Sequence, residues 1–242
     1  HFMKKKINLI VQDSTKNVRV DVFISNNEND ISRLNSLDLS TNGIINASSV
    51  TNITGSLDTL LQLYNSPGIS GLEAMDFVLT DVSLNSTTGL NTLYNSTTGT
   101  IDASSVNTII DEAELVLTLY DPLANIIGLE GLDIMLSDTT LTDIKVLTDL
   151  DLYTSGMIDA SSVNVMIGLM ASLLALYDSQ GINGMDATNF ILTDTSINNI
   201  NTLNSLDLST RGTIDTSDVT LITGLLASSI ALYDSISVIG ID

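Results

Sequence analysis

Cysteine and tryptophan are absent from this 242-residue chain, and the only histidine is His1. Without thiols there is no disulfide framework and no thiolate chemistry. With histidine confined to the first position there is no Ser-His pairing, and neither a phosphate loop nor a glycine-rich dinucleotide fingerprint occurs. Aromatic residues make up 4%, so the core must be built from Leu, Ile, Val, Met and Ala, which the 43% apolar fraction supplies. Positive charge is scarce: eight Lys and Arg stand against 29 Asp and Glu, a formal net charge of −21. Five of the eight (Lys4, Lys5, Lys6, Lys16, Arg19) lie near the N-terminus, and after Leu34 only Lys145 and Arg211 remain. Such a surface repels nucleic acid and anionic lipid, so neither is an expected partner. No apolar run reaches the ~18 residues of a membrane span. The longest, Val163 to Tyr177, is broken by Asn164, Gly168 and Ser172 and reads as a buried helix, so no membrane insertion is expected.

What the chain does have is a block that returns. Ile45-Asn46-Ala47-Ser48-Ser49-Val50 reappears from Ile101, from Ile158 and, as Ile214-Asp215-Thr216-Ser217-Asp218-Val219, a fourth time, at steps of 56, 57 and 56 residues. A fixed period means an array whose units bury their apolar faces on one another. The expected fold is α/β: a right-handed β-α repeat solenoid, or superhelix, with one narrow parallel sheet and four ~56-residue repeats. The array occupies 26–242, with repeat lines starting near 45, 101, 158 and 214. Residues 3–25 are expected to form a β-hairpin that caps the N-terminal end, and His1-Phe2 reads as a cloning remnant. The chain stops within a unit at Ile239-Gly240-Ile241-Asp242, as a piece of a longer array would.

Each period divides into two steps. Val106, Ile109, Ile110, Ala113, Val116, Leu117 and Tyr120 follow three- and four-residue spacings, predicting one amphipathic helix after the Ile-Asp-Ala-Ser-Ser-Val line. Asp102 or Ser104 would cap its first turn. The runs Phe77–Asp81, Ile134–Asp138 and Phe190–Asp194 predict buried strands, each feeding a helix capped by its Asp. That second helix would carry Leu141, Ile144 and Leu147, or Ile197, Ile200, Leu203 and Leu206. It would stop at Gly43, Gly99, Gly156 or Gly212 in a left-handed C-cap. Asn46, Asp102, Asp159 and Asp215 are expected to align as a structural ladder.

One segment carries a candidate metal site. Asp207, Ser209, Asp215 and Asp218 place oxygens at positions 1, 3, 9 and 12 of a loop with Gly212 at position 6, the spacing of a calcium loop. The spacing resembles dockerin calcium loops. The earlier copies are poorer, with Tyr94 at the first ligand position, Tyr153 at the third, and Ser49, Ser105 and Ser162 at the twelfth, and Arg211 brings a cation into the best copy. Calcium is the only ligand these residues point to. Catalytic and cofactor-binding residues are not assigned: carboxylates that recur identically in every unit point to structural work, so an enzyme is not expected.

The line from Leu90-Asn91-Thr92-Leu93 through Val106, together with Ile182 to Leu192 and the following Thr193-Asp194-Thr195-Ser196-Ile197, resembles a tandem repeat of very large secreted surface proteins of cyanobacteria and proteobacteria. The resemblance covers 34–242. It implies an extracellular or cell-surface location, type I secretion and an adhesin-like role. The Gly-Gly-x-Gly-x-Asp nonapeptides of companion repeats in such proteins are absent. The leading expectation is a non-enzymatic spacer or adhesive shaft, its partner a surface ligand or neighbouring repeats of the same protein. The alternatives are a calcium-dependent binding module and a phage or virion fibre component.

Overall fold

The computed structural model describes residues 22–23 and 31–241. Of the expected hairpin only Val22–Phe23 is described, as a strand parallel to Ile45–Asn46; the rest lies outside the described residues, as does His1-Phe2. The chain is α/β with several parallel sheets and alternating strands and helices. It separates into two compact units, one holding residues up to Asn107 together with Leu119–Leu129, the other Thr108–Thr118 and the chain from Glu130. The first contains α1 (Ile31–Ser40), α2 (Leu57–Tyr64) and α3 (Thr88–Tyr94). The second contains α4 (Ala113–Leu117), α5 (Lys145–Tyr153), α6 (Met170–Asp178), α7 (Ile200–Ser209) and α8 (Leu226–Tyr233).

Backbone pairing follows one rule in both units: strands pair in parallel one coil apart, 23 to 25 residues along the chain. In the first unit Ile45 pairs with Ile69, Phe77 with Ile53 and Ile101, and Ile101 with Ile126. In the second, Ile134 pairs with Ile109 and Ile158, Phe190 with Met166 and Ile214, and Ile214 with Val238. The register stacks apolar on apolar. Phe77, Ile101, Ile134, Ile158, Phe190 and Ile214 are all at most 1% exposed. Along Asp76–Leu79, Asp133–Leu136 and Asn189–Leu192 buried and more exposed residues alternate, the two-residue period of a strand with one face in the core.

The long helix expected from Val106 to Tyr120 is divided. Thr108–Asp111 is a strand, α4 begins at Ala113, and Thr118–Tyr120 forms a short 3-10 turn. The same division separates Val165–Gly168 from α6 and Leu221–Ile222 from α8. Val106, Ile109, Ala113 and Val116 of the expected stripe are buried, whereas Ile110, Leu117 and Tyr120 are half-buried. A strand and a helix meeting at a corner satisfy that spacing too, and the β-branched Thr108-Ile109-Ile110 favours the strand. Leu141 and Ile197 likewise lie on strands rather than in the first turns of α5 and α7.

Two further expectations are corrected. In place of one narrow sheet there are several, and the Ile-Asp line falls in a different one each time. Within the first unit, Asn46 stands in the sheet containing Val22–Phe23 and Ile69–Ser70, whereas Asp102 stands with Asp76–Leu79 and Ile126–Ile127. Within the second, Asp159 stands between Asp133–Leu136 and Ile182–Asn183, and Asp215 between Asn189–Leu192 and Val238–Ile239. The physical reason is that 56 is not a multiple of the coil length, so equivalent residues do not stack and no Asp ladder forms.

The second correction concerns the helix-ending glycines. Gly99, Gly156 and Gly212 do not have the positive φ of a left-handed cap; that conformation is found at Gly71, Gly128, Gly184 and Gly240. A Cβ on Gly99, Gly156 or Gly212 would instead land on the carbonyl oxygen of Met75, Leu132 or Thr188, one coil earlier. Glycine lets two backbones touch here. Gly156→Ala and Gly212→Ala are expected to cost about 1–3 kcal/mol each in urea unfolding, as overpacking does. Gly131→Ala, where an added Cβ meets open space, should stay within ~0.5 kcal/mol; equal losses at all three positions would contradict the backbone contact.

Candidate functional site

The acidic and hydroxyl residues carry the chain's polar chemistry, and the coil geometry sets their partners. The Asp that ends each apolar strand does cap a helix, but the helix of the preceding coil. The Asp81 carboxylate accepts from the Leu57 N–H at 2.7 Å, Asp138 from Ala113 at 2.8 Å, and Asp194 from Met170 at 2.7 Å. Each of those amides is the first of α2, α4 or α6, an orphan donor at the positive end of the helix dipole.

A second set joins helix ends to the next coil. Asp38, Asp151 and Asp207 accept from the hydroxyls of Ser66, Ser179 and Ser235 at 2.6, 2.7 and 2.9 Å. A third uses buried threonines. The hydroxyls of Thr97, Thr154 and Thr210 donate to the carbonyls of Met75, Leu132 and Thr188 at 2.7, 2.6 and 2.8 Å, and each accepts the N–H of the glycine two residues on. The recurring Thr-x-Gly marks the polar turn these threonines close.

The Asp of the repeat line is consumed locally. Asp102 Oδ1 accepts from the backbone and hydroxyl of Ser104, and Asp215 Oδ1 does the same with Ser217. Asn46 and Asp159 take the corresponding amides of Ser48 and Ser161 at 3.0 and 2.9 Å. Asp102 or Ser104 was expected to cap a helix, but the Asp closes a tight turn after a two-residue strand. The Ser hydroxyl bond, then the backbone bond, hold the Asp102 and Asp215 carboxyls below the usual carboxylate range, with burial opposing weakly.

The four candidate calcium ligands are placed as follows. Asp207 lies in the last turn of α7 and is bonded to Ser235 and Ser237. The Ser209 hydroxyl donates back to the Ser205 carbonyl at 2.8 Å. Asp215 is occupied by Ser217, and Asp218 is exposed on the following turn. Strand Ile214–Asp215 falls within the loop, and strand Leu221–Ile222 follows it where the second helix of a helix-loop-helix would begin. Among the described residues no group of three or more His, Cys, Asp or Glu is gathered in a way that could hold a metal ion. Nor, among them, is any helix long and apolar enough to cross a membrane.

The helix-end tyrosines are edge residues in two copies. The Tyr120 hydroxyl donates to the Leu129 carbonyl and that of Tyr177 to Met185, at 3.0 and 2.7 Å, and Tyr177 meets Phe190 edge-on at 6.0 Å. No protein-family model, curated protein or solved structure matches the chain.

Two outcomes follow from these bonds. Asp194→Ala should cost about 1 kcal/mol through the lost α6 cap, with Asp194→Asn milder; denaturant midpoints check this. A carboxyl whose folded pKa is depressed adds stability above its ordinary range, about 3.9 for Asp. That contribution disappears as pH falls through the lowered folded value. The melting temperature of the Asp102→Asn, Asp215→Asn double variant should therefore lie below the parent's at pH 7, where the charge-assisted bonds to Ser104 and Ser217 are lost, and approach it at pH 2. It should fall less than the parent's between pH 4 and pH 2, and identical acid limbs would remove the role assigned to the two carboxylates.

Proposed function

We propose that this chain is a non-enzymatic structural repeat module, a spacer or adhesive shaft within a large bacterial extracellular or cell-surface protein. The observation that carries the reading is the threefold recurrence of one inter-coil bond, from Asp81, Asp138 and Asp194 to the first amide of a helix 24 or 25 residues earlier. A side chain whose acceptor is already filled, in copy after copy, is doing the work of a fastener. The Asp-Ser and Thr-carbonyl bonds support the same reading.

In its finer form the fold is a right-handed β-α solenoid of four ~56-residue repeats, since crossovers between parallel strands take that hand almost without exception. Each coil has three sides, one of them helical. The helical side shifts to the next position with each repeat, because a repeat is longer than two coils. Such a module presents length and surface; its partner is a surface ligand or further repeats of the same protein.

The second reading, calcium-dependent binding, draws on the spacing of Asp207, Ser209, Asp215 and Asp218, and both are tested in solution. An array of stacked coils should have a radius of gyration well above the about 18 Å of a globule of this length; a value at or below that would end the solenoid reading. Calcium should raise the melting temperature no more than sodium chloride at matched ionic strength, as screening of the −21 charge predicts. A saturable calcium-specific increase, abolished by Asp207→Asn or Asp215→Asn, would move the conclusion to the calcium module.

A further inference from the structure

Helices α7 and α8 are stitched together by side chains. The Ser228 hydroxyl donates to Asn201 Oδ1 at 2.7 Å, and Asn204 Nδ2 donates to the Ser228 carbonyl at 3.2 Å. One repeat earlier the same positions on α5 and α6 are Lys145, Thr148 and Ser172. Lys145 turns along its own helix instead, its Nζ donating to Asp149 Oδ1 at 2.6 Å. The stitch is missing, and α5 and α6 pack less closely than α6 and α7 or α7 and α8. Between their first turns lies an open groove of about 460 Å³. The coil that holds it is paired on both sides, by Thr140–Leu141 and by Asn189–Leu192.

The floor of the groove is apolar and already packed. Ile144 lies against Gly168, where an added Cβ would strike it, and Leu169 beside them is 53% exposed. The rim is polar. It carries the Lys145–Asp149 ion pair and the hydroxyls of Thr148, Ser172 and Thr193. These three hydroxyls are exposed and, among the described residues, make no hydrogen bond. Thr154, Thr210 and Ser179, by contrast, spend theirs on bonds between coils.

This lining selects a chemistry. Asp143 and Asp149 oppose an anion, as does the net charge of −21, and Lys145 opposes a cation. A pure hydrocarbon would take the ion pair and the hydroxyls out of water without replacing their bonds. A sugar ring meets both parts of the site, with C–H groups on its face and hydroxyls around its edge. The volume falls within the range of small-ligand pockets and suits about one or two rings. We propose that the groove between α5 and α6 binds a neutral saccharide. The ring lies on Ile144, Gly168 and Leu169, and its hydroxyls bond to Lys145, Asp149 and Ser172. The inference rests on the adhesive form of the proposed function and supplies the class of its surface ligand.

The test titrates the full chain with cellobiose, maltose, lactose and N,N′-diacetylchitobiose, followed by backbone amide NMR shifts. Saturable shifts centred on residues 142–149 and 167–172 are expected with at least one of the four. Thr148→Val combined with Ser172→Ala should weaken that binding at least roughly fivefold, the worth of one neutral hydrogen bond. Lys145→Asn combined with Thr148→Asn copies the α7 residues and closes the groove. It should abolish binding without lowering the melting temperature. No saturable shift with any of the four sugars, shifts centred elsewhere, or undiminished binding by the Asn pair would overturn the site. Equally tight binding of digalacturonate would overturn its preference for a neutral ligand. A globular radius of gyration would instead remove the array reading; an extended array that ignores every sugar removes the saccharide site alone.

Discussion

A helix in this protein is finished by the turn of chain that comes after it. The amide at the start of α6 has no acceptor within its own coil; it is satisfied when Asp194 arrives with the next strand. The same holds for α2 with Asp81 and α4 with Asp138. An orphan amide on a partly buried helix end costs free energy comparable to a lost hydrogen bond. Each coil is therefore incomplete until its successor packs, and the parallel strands, whose partners lie a coil away, impose the same condition on the backbone. Coil-to-coil contact is the constraint from which the rest follows: the apolar register, the glycines where backbones touch, and the threonines that reach the carbonyls of the coil before.

This explains how a chain with so few cations tolerates so many carboxylates. Many of the acidic side chains are assigned to backbone amides and serine hydroxyls rather than to ammonium groups, as with Asp102, Asp194 and Asp207. Hydrogen bonds to a carboxylate are stronger than neutral ones, so negative charge can do structural work with no opposite charge nearby. Lys145, which does form an ion pair, reaches only Asp149 on its own helix. Repulsion among the remaining exposed carboxylates favours spreading them over a surface rather than gathering them.

The strands ending in Asp were legible because Phe77 and Leu79, or Phe190 and Leu192, alternate with residues that need not be buried. The identity of the Asp as a cap was legible too, since few other side chains serve that role; its target was not, because nothing local in Leu-Thr-Asp names a helix 24 residues back. The stretch from Val106 misled for a definite reason: three- and four-residue spacing describes both a helix and a strand turning into one. Only the β-branched run at Thr108 argued otherwise. Gly99, Gly156 and Gly212 were rightly singled out, but a glycine needed for close approach and one needed for positive φ look identical in a sequence. The calcium-like spacing around Gly212 arises where a helix end, a Thr-x-Gly turn and an Asp turn follow one another.

The mismatch between the 56-residue block and the 24-residue coil works like a vernier. If the two lengths were commensurate, nearly identical segments would lie directly on one another, and a slip by one whole block would leave every neighbour unchanged. Stacks of identical strands are also the arrangement that feeds fibril growth. Here some positions keep Ile on Ile, as at Ile134 between Ile109 and Ile158, while others meet a different residue, as Phe190 does between Met166 and Ile214. A slipped coil would leave a helix amide without its carboxylate. The chain can thus repeat its sequence freely while each position along it remains distinguishable from the next.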